Sequence, residues 1–183
     1  MVLDFFADYI AEINKAYVRG DATEHTHRPA LKKMIESVGD RITATNEPKR
    51  LKCGAPDFIV SKKFRRVEQT VGYIEAKDID KSLAQEVKKE QMKKRYLPSL
   101  HNLLFTNYVD FRWYVGGELR ESVTLAKEGA GGEFVLCKDG ANKLKCLLDQ
   151  FFLQEIERIT NAQVLATRMA AVTRLMHDVI RKA

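Results

Sequence analysis

The chain has 183 residues, with 31 Lys and Arg against 25 Asp and Glu, a formal net charge of +6. That length suits one mixed domain with room for a small appendage, and an apolar share of 45% is enough for a full core. The mild basic excess fits a polyanionic partner without requiring one. Cys53, Cys137 and Cys146 lack metal-ligand spacing and read as reduced thiols. Asp4, Asp8 and Glu12 stand where a signal peptide would be basic, and no apolar run approaches membrane-spanning length. The expectation is a soluble, cytoplasmic chain with no membrane partner.

Residues 2–18 carry Phe6, Ile10, Ile13 and Tyr17 at helical spacing, and a turn follows around Gly20 and Asp21. A second helix is predicted from near Thr26, with Pro29 in its first turn, Leu31, Met34, Ile35 and Val38 on its apolar face, and Gly39 as its stop. Ile42 to Asn46, Phe58 to Ser61 and Thr70 to Ala76 read as strands, the last two separated by a basic turn from Lys62 to Arg66. A charged helix is expected from Ser82 to Tyr96, ended by Pro98.

Asn102 to Thr106 reads as a buried strand, and Val109, Phe111, Trp113 and Val115 alternate as a half-buried one, with Trp113 in the core. Gly116-Gly117 then turns the chain into a partner strand over Leu119 to Leu125. Gly129 to Gly132 reads as a plain flexible loop, since no Gly-Lys-Ser/Thr follows it. Two helices close the chain, one striped by Leu144, Leu147, Leu148, Phe151 and Phe152, the other by Leu165, Met169, Val172, Leu175, Met176 and Val179. The second runs to Ala183 without a stop signal, so the chain is expected to be the front piece of a longer protein. Helix, three strands, helix and further strands make a mixed α/β arrangement, and no Gly-x-Gly-x-x-Gly follows a strand to suggest a Rossmann site.

The chemistry concentrates between Gly54 and Lys77. Asp57 stands at the mouth of one apolar strand, and Glu75 and Lys77 lie two apart on the next, so the last two share a face. If the strands pair, two carboxylates and an ammonium converge at a sheet edge, as a magnesium-dependent phosphodiester hydrolase requires. Mg²⁺ takes oxygen ligands, commonly one or two carboxylates with water and phosphate. Asp57 and Glu75 would supply carboxylates and the Ala76 carbonyl a third oxygen, while Lys77 would position or deprotonate the attacking water and offset charge at the phosphorus. Taken singly, an Asp after Pro is also an ordinary turn residue and a Glu-x-Lys pair an ordinary solvated face.

Pro56-Asp57 followed by Glu75-Ala76-Lys77 resembles the PD-(D/E)XK nuclease signature. Around it, Thr23-Glu24-His25-Thr26-His27-Arg28-Pro29-Ala30-Leu31, Thr45-Asn46-Glu47-Pro48-Lys49-Arg50, Gly72-Tyr73-Ile74-Glu75-Ala76-Lys77-Asp78 and Arg95-Tyr96-Leu97-Pro98 resemble the N-terminal nuclease domain of single-chain restriction–modification enzymes, the type ISP and type IIG-like group. The resemblance covers most of residues 20–115. It implies a restriction-endonuclease-like core, a central mixed sheet flanked by helices, with two further helices at the C-terminal end. The nuclease domain would be residues 1–136 and a helical connector 137–183.

It further implies a Mg²⁺-dependent endonuclease, with Mn²⁺ able to substitute, that acts on double-stranded DNA. An adenine-N6 methyltransferase, and in some members a helicase-like motor, would follow in the same polypeptide. The family also admits dimerisation on DNA before both strands are cut. Asp57, Glu75 and Lys77 take the catalytic positions, with Asp57, Glu75, Ala76 and an acidic residue of the first core helix on the metal. Glu24 is the choice for that acid, ahead of Glu36 and Glu47.

Gln91 is either the helix glutamine some relatives place four residues before a Tyr or a surface residue, because here it precedes Tyr96 by five. His25 and His27 are read as surface or DNA-facing rather than as a metal pair. Lys62, Lys63, Arg65, Arg66, Lys93 and Lys94, with Lys88, Lys89 and Arg95 nearby, are candidate phosphate contacts that would position a duplex without reading it. Two other functions remain open: a DNA-binding or assembly module with the same fold and no hydrolysis, and a standalone repair or resolving nuclease.

Overall fold

A computed structural model describes residues 2–20, 23–46, 56–64, 67–154, 169, 170 and 173. Six strands form one sheet in sequence order: β1 (Ile42–Asn46), β2 (Phe58–Phe64), β3 (Val67–Ala76), β4 (Asn102–Thr106), β5 (Asp110–Val115) and β6 (Glu118–Thr124). Every neighbouring pair is antiparallel except β3 with β4. A parallel pair needs a crossover, and residues 77–101 supply it.

Helices α1 (Val2–Tyr17), α2 (Arg28–Val38) and α5 (Gly140–Leu153) cover one face of the sheet. Their Phe6, Ile13, Leu31, Ile35, Leu147 and Phe151 share a core with Phe58, Val60, Ile74, Ala76, Leu104 and Phe111. The crossover covers the other face, where Leu83, Met92, Tyr96 and Leu100 pack on Leu103, Phe105 and Tyr114. Alternate residues of β4 therefore feed two cores, which is why Asn102–Thr106 is buried throughout. No described helix is long and apolar enough to cross a membrane.

Three expectations need correction. β2 and β3 run further than the apolar residues do, because Lys62, Lys63 and Phe64 stay paired with Gln69, Glu68 and Val67 beyond the covered part of the sheet. The basic segment is thus mostly strand, and Arg65 and Arg66 lie outside the described residues. The charged helix is not one α-helix. It is a short α3 (Leu83–Glu86), a π turn (Gln91–Tyr96) and α4 (Leu97–Ser99), so Pro98 lies inside the helical run. A proline ring crowds the carbonyl four residues back, here Lys94, and the wider π winding just before it relieves that crowding. Finally, Gly129–Gly132 is the turn of a small hairpin, β7 (Ala126–Glu128) against β8 (Phe134–Leu136), too short for any periodicity to reveal.

Gly116 and Gly117, at φ 59° and 85°, make the tight β5–β6 turn as expected. Trp113 is buried. Of the final helix, residues 169, 170 and 173 are helical and the remainder of its apolar stripe lies outside the described residues.

One buried side chain ties the layers together. Asn102 Nδ2 donates to the carbonyls of Val71 (2.7 Å) and Phe151 (2.9 Å), and its Oδ1 accepts the Trp113 indole N–H at 2.6 Å. It joins β3, β4, β5 and α5 where Gly72 lets the Phe151 ring lie so close that a Cβ would sit 2.5 Å from it. Replacing Asn102 with Leu leaves an indole N–H and two carbonyls without these partners in the core. We expect a loss of about 3 kcal/mol in urea unfolding; a loss under about 1 kcal/mol would remove Asn102 from this role.

Candidate active site

β2 and β3 pair with Phe58 opposite Ile74, and both side chains enter the α1–α2–α5 core. One residue further along the same register, Asp57 comes opposite Glu75. Directly opposite residues of antiparallel strands share a face. Asp57 and Glu75 therefore stand together, away from that core, and Lys77, two beyond Glu75, stands with them. Lys77 Nζ lies 2.5 Å from Glu75 Oε1. Asp57 Oδ2 accepts the Ala76 N–H at 2.7 Å. The sheet thus brings Asp57, Glu75, Ala76 and Lys77 to one place, joined as two hydrogen-bonded pairs.

The group is recessed. The Glu75 side chain is only 4% exposed, that of Asp57 11% and that of Lys77 20%. A carboxylate so far from water costs several kcal/mol, on the order of a whole ion pair's gain, so the burial serves no obvious structural economy. Lys77 is held from the neighbouring strand, its N–H donating to Thr106 O at 2.9 Å. Beyond it, Asn107 Nδ2 donates to Lys81 O at 2.9 Å, and Asn107 Oδ1 accepts the Asp110 N–H at 2.7 Å. The end of β4 thereby fixes how the chain leaves β3.

Two neighbours were not legible as part of the group. Arg28, in the first turn of α2 and 5% exposed, donates from Nη2 to Asp57 Oδ1. Tyr96 lies on the crossover with its hydroxyl accepting from Gln91 Nε2 at 3.0 Å. Burial pushes the pKa of that hydroxyl up and the charge of Glu75 adds to the rise, while the Gln91 hydrogen bond opposes it. Tyr96 is therefore a neutral phenol near Glu75, Lys77 and Asp57. The π turn is what brings Gln91 to it, since i→i+5 winding sets residues five apart side by side. An α-helical reading of the same residues separates them.

Other candidates stand elsewhere. Glu36 Oε1 accepts the Ala44 N–H at 2.9 Å and so serves the start of β1. Glu24 opens a 3₁₀ turn (Glu24–His27) four residues before Arg28, and its side chain lies outside the described residues, as does Glu47. Lys62 lies over the Phe64 ring, 5.7 Å from its centroid, and Lys63 is exposed. Both sit at the far end of the hairpin from Asp57. Lys93 and Lys94 are exposed on the π turn, Lys94 paired with Glu90.

His25 is exposed. His27, read as a surface group, is instead buried at 2% exposure, with its ring against Tyr108 at 5.1 Å between centroids. It is the last residue of the 3₁₀ turn, immediately before α2, whose apolar face lies inside.

The donor set suits a hard cation. Asp57 and Glu75 offer carboxylate oxygens, and because a strand residue's N–H and C=O leave on the same edge, the Ala76 carbonyl shares the side from which its N–H reaches Asp57. Mg²⁺ needs no more protein than one or two carboxylates, the rest being water and phosphate. Among the described residues no three His, Cys, Asp or Glu side chains cluster as a self-sufficient metal cage.

No protein-family model matches the chain, and no curated protein matches its sequence. Among solved structures, a chain of the DrdV–DNA complex, determined by cryo-electron microscopy, superposes with a TM-score of 0.58 at 21% identity. The match covers 82% of this chain and 95% of that one. At that identity the likeness concerns the fold: a mixed α/β domain with a mostly antiparallel central sheet between helices, compatible with a restriction-endonuclease-like fold.

Burial lowers the pKa of His27, while the charge of Asp78 opposes the shift, and its Nδ1 is buried without a hydrogen-bond partner. A group whose pKa falls on folding contributes stability above its unfolded value, about 6.5, and that contribution is lost as pH drops through the folded value. Wild-type Tm should therefore fall more steeply between about pH 7.5 and about pH 5 than that of His27→Phe, which keeps the contact with Tyr108. Parallel Tm curves would show that His27 binds its proton equally well in the folded and unfolded chain, against the lowered value.

Proposed function

We propose that the chain is the Mg²⁺-dependent DNA endonuclease part of a restriction–modification enzyme, with Asp57, Glu75 and Lys77 as its catalytic residues. The observation that carries this is the register of β2 on β3, which sets Asp57 opposite Glu75 with Lys77 bonded to Glu75. The likeness of fold to a chain from a DNA complex and the motif resemblance support it. A module that only binds DNA has no use for two recessed carboxylates with a lysine bonded to one of them.

Asp57, Glu75 and the Ala76 carbonyl would hold the cation, with Glu24 as a further acid on the α2 side. The cation, when bound, supplies charge to stabilise the phosphorane-like transition state and acidifies water for attack. Lys77, as the ammonium paired with Glu75, orients the attacking water by donating to the phosphate beside it, and its charge offsets that building on the phosphoryl oxygens. Glu75 fixes Lys77 within hydrogen-bond distance, which keeps the ammonium at the reacting phosphate rather than in solvent. Tyr96, oriented by Gln91, gives the site a neutral hydrogen-bond donor beside these charges.

The basic residues Lys62, Lys63, Arg65, Arg66, Lys93 and Lys94 would contact phosphates of a double-stranded substrate. A methyltransferase domain, with or without a helicase-like motor, would share the polypeptide and direct the nuclease to its target in the cytoplasm. Pairing of two copies on DNA would cut both strands.

The test is nicking of supercoiled plasmid at low salt with Mg²⁺ or Mn²⁺. Cleavage should require the metal and fall by roughly 10³-fold or more in Asp57→Ala and in Lys77→Ala, both folded as judged by circular dichroism. A folded Lys77→Ala chain that cuts as well as wild type would remove this mechanism.

A further inference from the structure

Arg28 is the least expected member of the site. Its guanidinium is buried against Asp57, so one oxygen of that carboxylate accepts from Arg28 and the other from the Ala76 N–H. Among the described groups the site is electroneutral: Asp57 and Glu75 are matched by Arg28 and Lys77. A neutral site whose first carboxylate is already bonded at both oxygens exerts little pull on a dication. Something must yield for Asp57 to become a strong ligand. Lys77 follows directly on the strand that carries Glu75 and is bonded to it, whereas Arg28 reaches Asp57 from a different element, α2. Guanidinium is also the side chain best suited to a phosphate, through parallel N–H bonds to two oxygens.

We propose, building on the nuclease reading above, that Arg28 is an exchangeable counter-cation of this site. Without metal it holds Asp57 as an ion pair; when a divalent cation takes Asp57, the guanidinium is released and binds a phosphate of the DNA strand at the site. Loading of the cation and capture of the strand are thereby coupled through one side chain. No bond is made or broken, and Arg28 is a positioning residue, changing partner from carboxylate to phosphate.

A purely structural ion pair between α2 and the residue preceding β2 predicts something different. Its loss would loosen Asp57 and weaken cation and DNA binding together. Exchange predicts opposite signs: removing Arg28 frees Asp57 for the cation but deprives the strand of its partner.

The experiment measures Mn²⁺ binding to the DNA-free chain by isothermal titration calorimetry, and binding of a short duplex in saturating Ca²⁺ by fluorescence anisotropy. The proteins are wild type, Arg28→Met, Arg28→Gln and Asp57→Ala. Arg28→Gln keeps a hydrogen bond to Asp57 without charge and serves if the methionine variant does not fold. Expected is Mn²⁺ binding about tenfold tighter in the Arg28 variants, lost in Asp57→Ala, with duplex affinity about tenfold weaker. Mn²⁺ binding unchanged or weaker in a folded Arg28 variant, with wild type binding normally, overturns the exchange and leaves the nuclease reading standing. Absence of Asp57-dependent Mn²⁺ binding in wild type and Arg28 variants alike overturns both.

Discussion

The pairing of β2 with β3 is the constraint from which the site follows. Because side chains alternate across a strand, the packing of Phe58 and Ile74 into one core obliges Asp57 and Glu75 to face the other way. A slip of one residue would bury the carboxylates in that core and expose the phenyl ring, a cost of many kcal/mol. The register is thus held by apolar burial on one face and delivers a polar group on the other. The parallel partner β4 then closes the arrangement, since the Lys77 N–H bonds to Thr106 and the loop after β4 grips residues 79–81 through Asn107.

The electrostatics of the group are as informative as its geometry. Recessed charges are retained only where a partner compensates them, and here the compensation comes from three directions: Arg28 from α2, Lys77 from the residue just after β3 and the Ala76 amide from the backbone. Tyr96 borders the same charges from the crossover. Helices on both faces of the sheet therefore contribute to one site at a strand end. That placement lets the two cores, which share little else, fix the relative positions of an acid, a base and a hydroxyl.

Strand periodicity and the Asp57 to Lys77 spacing made the middle of the chain readable, because a period of two leaves no freedom about which residues face together. The Gly116-Gly117 turn and the apolar stripe of α5 were equally plain. What escaped depends on departures from regular winding or on burial of polar groups. The five-residue gap from Gln91 to Tyr96 departs from the four-residue spacing of the resembled relatives, and a π turn brings the two side chains together across it; Pro98, two residues on, is the available hint. His27, read as surface or DNA-facing, and Arg28, which no apolar spacing marks as inside, are both buried where the 3₁₀ turn meets α2. Asn102, a polar residue opening an apolar run, could have been flagged as a buried hub on that ground alone.

A cation held between Asp57, Glu75 and the Ala76 carbonyl is the claim on which the proposed chemistry rests, and crystals of the chain soaked in Mn²⁺ test it most directly. Anomalous difference density within coordination distance of both carboxylates, absent in crystals of Asp57→Ala, is the predicted result. A well-ordered Asp57–Arg28 pair with no anomalous peak at these residues at saturating Mn²⁺ would contradict it.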